Sequence, residues 1–298
     1  MNIIAVVVTY NRKELLKRNI TCLRANTPVS SIVVVNNGST DGTGEWLDDQ
    51  KDLTVIHQEN VGGSGGFYRG IQYAYQAGAD WIWCMDDDVF PRADCMEHLL
   101  PYTHESGVGI LAPRRLMEGQ IFTNDFQKVN LTNPFASMYQ QKLKGRVIDS
   151  PVDICGTAFE GLCISREAVE RIGLPNKELF IFCDDTDYCL RAVLAGFRIL
   201  YIPSALMDKE KFFSDDDWET RSRKKKWKRF YQVRNAAYLN HRYGKNWAVR
   251  YLSSFHAVLG YIVIALATIP FKDVYTLDDV AKFWKAYRDG ILEKLGKL

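Results

Sequence analysis

The sequence has no C-x-x-C pair, and its seven cysteines are an odd number lying mostly in apolar runs such as Trp83-Cys84-Met85. A disulfide framework or zinc knuckle is therefore excluded as the organising device, and a reducing compartment fits best. Histidine is scarce: His57, His98, His104, His241 and His256 are scattered, and no two stand at a metal-binding spacing. Neither G-x-G-x-x-G nor G-x-x-x-x-G-K-[ST] occurs, so a dehydrogenase or P-loop ATPase loses its main support. There is no internal repeat and no low-complexity tract. The first apolar run, Ile3 to Val8, lacks a basic leader and a small-residue cleavage site and breaks at Thr9-Tyr10-Asn11-Arg12, so it is expected to be a buried strand of a cytoplasmic protein and not a signal peptide.

Net charge is also nearly absent, at +2 over 298 residues, but its distribution is uneven. Residues 1–220 hold 21 Lys/Arg against 31 Asp/Glu, whereas 221–298 hold 17 against 5. An acidic body with a basic docking end is implied, and general binding to nucleic acid is not expected. With 47% hydrophobic residues the chain can build a substantial core.

Within the first hundred residues, strands are expected at Ile3 to Val8, Ile32 to Val35, Leu53 to Ile56 and Trp81 to Cys84. Helices are expected near Lys13 to Ala25, Thr43 to Asp49, Gly66 to Ala77 and Ala93 to Tyr102. Such a βα alternation with continuous apolar strands predicts a parallel sheet covered on both faces, with a nucleotide site at the carboxyl ends of the strands. Residues 114–150 read as hairpins or a loop beside that site. Beyond them come a strand at Thr157 to Ser165, helices at Glu167 to Gly173 and Asp187 to Ala195, and a strand at Arg198 to Ile202.

Each early strand ends in chemistry-bearing sequence. Asp86-Asp87-Asp88 places three carboxylates together, which repel one another unless a cation intervenes; Mg²⁺ or Mn²⁺ would supply one and bring a diphosphate with it. A solvated acidic turn is the alternative. Asn60-Val61-Gly62-Gly63-Ser64-Gly65-Gly66, followed by Arg69, offers bare backbone at a helix N-terminus to phosphate or ribose, or is simply a structural turn. Asn36-Asn37-Gly38-Ser39-Thr40-Asp41 reads first as a helix cap, although a carboxylate there could also accept a base N–H. Asp184-Asp185-Thr186-Asp187 is a second acidic cluster, able to provide a general base or merely to cap a helix.

Taken jointly, Val7-Val8-Thr9-Tyr10-Asn11-Arg12, Asn36 to Asp41, Asn60 to Gly66, Asp86-Asp87-Asp88 and Asp184 to Tyr188 resemble, in order and spacing, family 2 glycosyltransferases with the GT-A fold. The resemblance covers about residues 1–240. It includes Phe230-Tyr231-Gln232-Val233-Arg234-Asn235, which is similar to an aromatic-x-x-Arg-Asn segment of the galactofuranosyl- and rhamnosyltransferase branch. It implies an α/β, Rossmann-like GT-A catalytic domain over 1–220, with a nucleotide-sugar half (1–113) and an acceptor half (114–220), then a helical extension over 221–298. The implied reaction is inverting transfer from a nucleotide diphosphate sugar, UDP-linked galactofuranose in the leading reading and dTDP-rhamnose in the second, to a glycan or lipid-linked glycan.

By the same resemblance, Tyr10, Asn11, Arg12 and Asp41 surround the base, with Asn37 and Asp87 also on the nucleotide side. Asn60, Gly62, Gly63, Gly65, Gly66 and Arg69 surround ribose and diphosphate. Asp86 and Asp88 hold the metal, Asp185 is the general base, Asp184 and Asp187 shape its field and the acceptor pocket, and Arg191 anchors the helix. Branch members often add a metal-binding histidine some twenty residues past the base. Here the stretch reads Pro203-Ser204-Ala205-Leu206-Met207-Asp208-Lys209-Glu210, so either Asp208 takes its place as a hard oxygen ligand or the metal relies on the first cluster and phosphate alone. A sugar-phosphate nucleotidyltransferase would want a glycine loop after the first strand, where Thr9 to Arg12 has none; a non-catalytic nucleotide-sugar binder would not need the second acidic cluster.

Eleven Lys/Arg and no acidic residue lie between 221 and 250, followed by the apolar stretch Leu252 to Phe271. Ser253, Ser254, His256 and Gly260 dilute its first half, leaving an apolar core shorter than the roughly 18 residues of a span. An interfacial helix on the anionic inner face of the cell membrane is expected, with packing on the catalytic domain or on a second subunit as the alternative.

Overall fold

Strand β1 (Ile3–Thr9) is buried along its whole length, and its side chains divide by the two-residue period of a strand. Ile4, Val6 and Val8 enter one core with Val33, Val35, Phe67 and Ile71, while Ile3, Ala5 and Val7 enter a second with Leu16, Ile20 and Val34. Two cores on one strand mean a sheet sandwiched between helices, as continuous apolar strands demand. The molecule is described here from a computed structural model covering residues 1–122, 124–211 and 217–298.

The chain divides into two compact units. The first comprises Met1–Lys128, Gln141–Lys177 and Asp184–Lys211. In it β1 is followed by α1 (Lys13–Arg24), β2 (Ser31–Asn36), α2 (Thr43–Asp48), β3 (Leu53–His57), α3 (Gly62–Gln76) and β4 (Trp81–Asp86). Next come β5 (Val89–Pro91), α4 (Cys95–Leu99), β6 (Val108–Met117) and β7 (Gln120–Ile121); β8 (Phe126–Val129) and β9 (Tyr139–Lys142), a two-stranded sheet of their own, are divided between this unit and the next. After β10 (Val152–Ile154) and β11 (Leu162–Ser165), α5 (Arg166–Ile172), α6 (Asp184–Leu194) and β12 (Arg198–Lys209) complete it. The main sheet runs β10-β12-β6-β11-β4-β1-β2-β3. β3, β2, β1 and β4 are mutually parallel, β11 is antiparallel to both its neighbours, and β12 is parallel to β6.

Three boundaries differ from the sequence expectation in ways that matter for the site. α3 begins at Gly62 and not at Gly66, so the glycines are helical. α6 begins at Asp184, putting Asp184, Asp185 and Asp187 in its first turn. β12 continues to Lys209 and not to Ile202, because a bulge between Ile202 and Leu206 absorbs Pro203 and the strand then resumes pairing, antiparallel with β5.

The second unit comprises Val129–Gln140, Glu178–Cys183 and Phe212–Leu298. Its described residues form the helices α7 (Trp218–Tyr243), α8 (Trp247–Thr268) and α9 (Leu277–Ile291). They pack around Val233, Val258, Ala265, Val274, Tyr275, Phe283 and Ala286. Caps fix the starts: Asp217 accepts from Thr220 N, Asn246 from Val249 N, and Thr276 with Asp279 forms a capping box. α8 is 22 residues long with a mean hydropathy of 1.6 in its most apolar 18-residue window, of which 17% is buried. By length and composition it suffices to cross a membrane, longer than the diluted apolar core read from sequence; its polar residues interrupt the run without ending the helix.

Candidate active site

The acidic triplet sits where β4 ends and turns into β5, one strand from β1, whose Val8 is in register with Asp86. Asp87 is buried, accepting from the Thr9 hydroxyl at 2.7 Å and from Arg12 Nη1 at 3.2 Å. The same Arg12 nitrogen donates to Asp88 Oδ2 at 2.9 Å. Arg12 thus ties the β1 turn to the β4 turn, with 45% of its side chain exposed. Burial raises the Asp87 carboxyl despite Arg12, and burial with Asp88 beside it raises that of Asp86 well above its ordinary range.

The other oxygen of Asp88 is taken by a residue the sequence reading passed over. Lys209 Nζ donates to Asp88 Oδ1 at 2.9 Å and lies 2.9 Å from Glu160 Oε1, with only 3% of its side chain exposed. The zipper of β12 on β5 places it there, since Lys209 pairs with Val89 and Glu210 N donates to Asp88 O. Alternation along the strand turns Asp208 to the opposite face, where it makes a two-pronged pair with Arg92 at 3.1 Å and is 41% exposed. Asp208 is therefore corrected: it stands outside the acidic cluster and does not replace the missing histidine.

These residues do not fit a divalent ion. Arg12 and Lys209 hold both oxygens of Asp88, Arg12 and Thr9 hold both of Asp87, and Glu160 lies between Lys209 and Arg115. A metal here would face a buried ammonium at close range, a repulsion of several kcal/mol at an effective dielectric constant of about 20. Among the described residues no group of three or more His, Cys, Asp or Glu is arranged to hold a metal.

The glycine segment resolves into two roles. A Cβ on Gly66 would lie 2.5 Å from Val8 Cγ1, and one on Gly70 2.3 Å from Val6 Cγ1, so both glycines let α3 lie directly on β1. Gly65 is similarly closed by Val61 at 2.5 Å, whereas Gly63 faces open space. Only Gly63 therefore presents the bare backbone anticipated for the whole stretch. Gly62, at φ 78°, starts the helix, and its N–H is capped by Asn60 Oδ1 at 3.0 Å. Asn37, buried, donates to Gly62 O at 3.0 Å and accepts from Gln58 and Val61 N, so it builds this lip from within. Arg69 is on the exposed side of α3, donating to Gln72 at 2.9 Å.

The rim opposite is made by β1 and β2. Asn11 Oδ1 accepts from Thr40 N at 2.7 Å, and its own N–H donates to Ser39 at 3.0 Å. Asp41 accepts from Lys13 N and Thr43 N, the first residues of α1 and α2, whose own N-cap residues, Arg12 and Gly42, make no side-chain cap. Tyr10 projects 46% exposed beside them.

At the start of α6, Asp184 is buried and Asp185 half-buried. Burial, then their mutual repulsion, pushes the carboxyl of Asp185 up to about 7, and burial raises that of Asp184 to about 6, so the pair keeps a proton toward neutrality. Glu160 acts on both Asp185 and Asp86, which brings the two acidic clusters to one locality. Asp187 turns away: buried, it pairs with Arg191 at 3.0 Å while Arg191 also donates to Ile172 O and Leu174 O. Asp187 thus anchors α6 with Arg191.

The backbone entering α6 is held in an unusual form, with Phe180, Phe182 and Cys183 all at φ near +65°. Asn235 Nδ2 gathers the carbonyls of Leu179, Ile181 and Phe182 at 2.9–3.0 Å, and Arg234, fully buried, donates to Leu179 O at 3.1 Å. The Arg-Asn pair of the aromatic-x-x-Arg-Asn segment is therefore a clamp on this strained segment.

The family model described as glycosyl transferase family 2 matches residues 4–172, more than half of the chain. The chain belongs to that family. It is similar to the galactofuranosyltransferase GlfT1 of Mycolicibacterium smegmatis, 26% identical over 247 residues, which are 79% of this chain and 82% of that protein. It is 28% identical over 214 residues to the dTDP-rhamnosyl transferase RfbF of Shigella flexneri, covering 69% of this chain and 68% of that protein. Among solved structures, GalNAc-T7 with UDP, GalNAc and Mn²⁺ superposes with a TM-score of 0.58 at 13% identity over 92% of this chain; the chain spans 58% of that structure's length. The fold is thus GT-A with helices α7 to α9 added, and the protein is a glycosyltransferase. This membership decides against the nucleotidyltransferase and non-catalytic readings.

Proposed function

We propose that this glycosyltransferase inverts the anomeric centre of a UDP-linked hexose, galactofuranose in the leading reading, and transfers it to a hydroxyl of a glycan or lipid-linked glycan in cell-surface polysaccharide synthesis. The observation that carries the reading is Asp185: half-buried on the first turn of α6, with a carboxyl raised to about 7 and Glu160 shared with the acidic turn. A carboxylate of raised affinity for protons is suited to take one from an attacking hydroxyl near neutral pH. As that oxygen bonds to the anomeric carbon, the bond to the nucleoside diphosphate breaks on the opposite face, and the proton rests on Asp185. Asp184 supports this by keeping the pair's affinity for a proton high.

On the donor side, Tyr10, Asn11 and Asp41 border the base, and the Asn37–Asn60 lip presents Gly63 toward ribose. Arg12, whose bonds to Asp87 and Asp88 use Nη1 alone, has its remaining guanidinium donors for the diphosphate. Rhamnosyl transfer from dTDP is the second reading, supported by the similarity to RfbF. The apolar α8 beside the basic α7 supports peripheral docking on an anionic membrane surface, where a lipid-linked acceptor would be met.

The test is donor-induced thermal stabilisation with UDP-galactofuranose, UDP-galactopyranose and dTDP-rhamnose, followed by product NMR with the stabilising donor. Selective stabilisation by UDP-galactofuranose and an inverted product are expected. Stabilisation by dTDP-rhamnose alone selects the second reading, and a retained anomeric configuration overturns the single displacement.

A further inference from the structure

The acidic turn raises a question that the proposed transfer leaves open: what neutralises it, given that its residues are not arranged for a metal. We propose that the buried ammonium of Lys209 is the resident cation of the site and takes the place of a divalent ion, so that the donor's diphosphate binds without metal. The inference rests on the nucleotide-sugar reading above and adds the chemistry by which the diphosphate is held.

Three observations converge. Lys209 is equidistant, at 2.9 Å, from a carboxylate oxygen of Asp88 on the β4–β5 turn and one of Glu160 before β11. A single point charge between two carboxylates from separate parts of the chain is the arrangement a bound cation would make, supplied here by the polypeptide. The lysine is also fixed, since its backbone pairs with Val89 of β5 and its side chain is almost wholly buried, so it is not a solvated residue that happens to reach inward. Finally, Arg12 covers the same turn from the other side, bonded to Asp87 and Asp88 yet half-exposed. Lys209 offsets the carboxylate charge from below while Arg12 meets the phosphates from above.

Removing the ammonium should open a metal site there, because Asp88 Oδ1 and Glu160 Oε1 then lose the cation they share and, with Asp86, offer oxygen ligands. Calorimetry with UDP in EDTA, repeated with MnCl₂, reads the first half; electron paramagnetic resonance of Mn²⁺ without nucleotide reads the second. The wild type is expected to bind UDP with the same affinity, within about twofold, in EDTA and in manganese, and to take up no Mn²⁺. Lys209→Gln should lose at least about tenfold in UDP affinity in EDTA, recover it in manganese, and bind Mn²⁺ alone. Lys209→Arg keeps the charge and should keep metal-free binding, which separates charge from folding. UDP binding by the wild type that disappears in EDTA, or stoichiometric Mn²⁺ uptake by the wild type, overturns the proposal. If the wild type binds none of UDP, dTDP and GDP under any condition, the nucleotide-sugar reading falls and takes the diphosphate role with it. The Mn²⁺ measurement then still decides whether Lys209 excludes a metal.

Discussion

Replacing Asp185 by Asn should make the protein both slower and more stable, and the two effects have one cause. The carboxyl is lifted from its ordinary 3.8 to about 7, first by burial and then by Asp184, so ionising it costs the folded state free energy that the unfolded chain does not spend. About three pH units at about 1.4 kcal/mol each sets a ceiling of about 4 kcal/mol. Because Asp184 shares the shift and Asp185 is only half-buried, a gain of about 1–3 kcal/mol is expected. Its pH window follows from the direction of the shift. Below about pH 4 both states are protonated and the variant gains little. Between about 4 and 7 the unfolded chain has released its proton while the folded one holds it, so wild-type stability falls as pH rises, and above about 7 the variant's advantage is complete. Catalytically, an amide keeps the shape but cannot accept the proton, so kcat should drop by about 10² to 10⁴ with donor affinity unchanged. Wild-type turnover should fall as pH drops below about 7. Urea melts at about pH 4 and pH 8, calorimetry with UDP, and steady-state turnover read these effects. Equal stability differences at both pH values, or a loss of donor affinity as large as the loss of kcat, would refute the reasoning.

Gly70→Ala should destabilise by about 1–3 kcal/mol in urea melts, since its methyl would meet Val6 Cγ1 at 2.3 Å, whereas Gly63→Ala, facing open space, should leave the melt unchanged and weaken UDP binding. Asn235→Ala should cost at least about 2 kcal/mol by releasing three carbonyls, and should lower kcat more than it raises KM, because the freed backbone runs directly into Asp184 and Asp185; a stability loss with kcat intact would limit the clamp to folding. The protein should float with anionic but not neutral liposomes, and less so in high salt; resistance to carbonate extraction would indicate that α8 spans the bilayer, and no flotation would remove the membrane contact.

The parallel half of the sheet was legible because its strands are apolar on both faces and its connections are short. β1, β2, β3 and β4 each lie within a residue or two of the expected bounds, since period and turn residues agree there. What sequence could not show was how β12 continues. Pro203 and Ser204 look like the end of a strand, yet a bulge carries the chain past them to resume pairing with β6 and to gain a second partner, the short β5 that follows β4. Only that long-range pairing decides whether Asp208 or Lys209 faces Asp88, because one residue of register exchanges the two faces.

The same point governs the site. Asp86, Asp88 and Asp185 stand out as candidates because clustered carboxylates after apolar strands demand an explanation from any fold. Lys209 and Glu160 do not: each is one charged residue in a mixed stretch, and neither has a local pattern that distinguishes it from a solvated side chain. Their meaning comes from burial, and burial of an ammonium is tolerated only where carboxylates meet it. Repulsion within the triplet calls for a cation wherever its carboxylates ionise. A metal and a lysine answer the same electrostatic demand, and under the proposal above they differ only in whether an ammonium from a distant strand already fills the place.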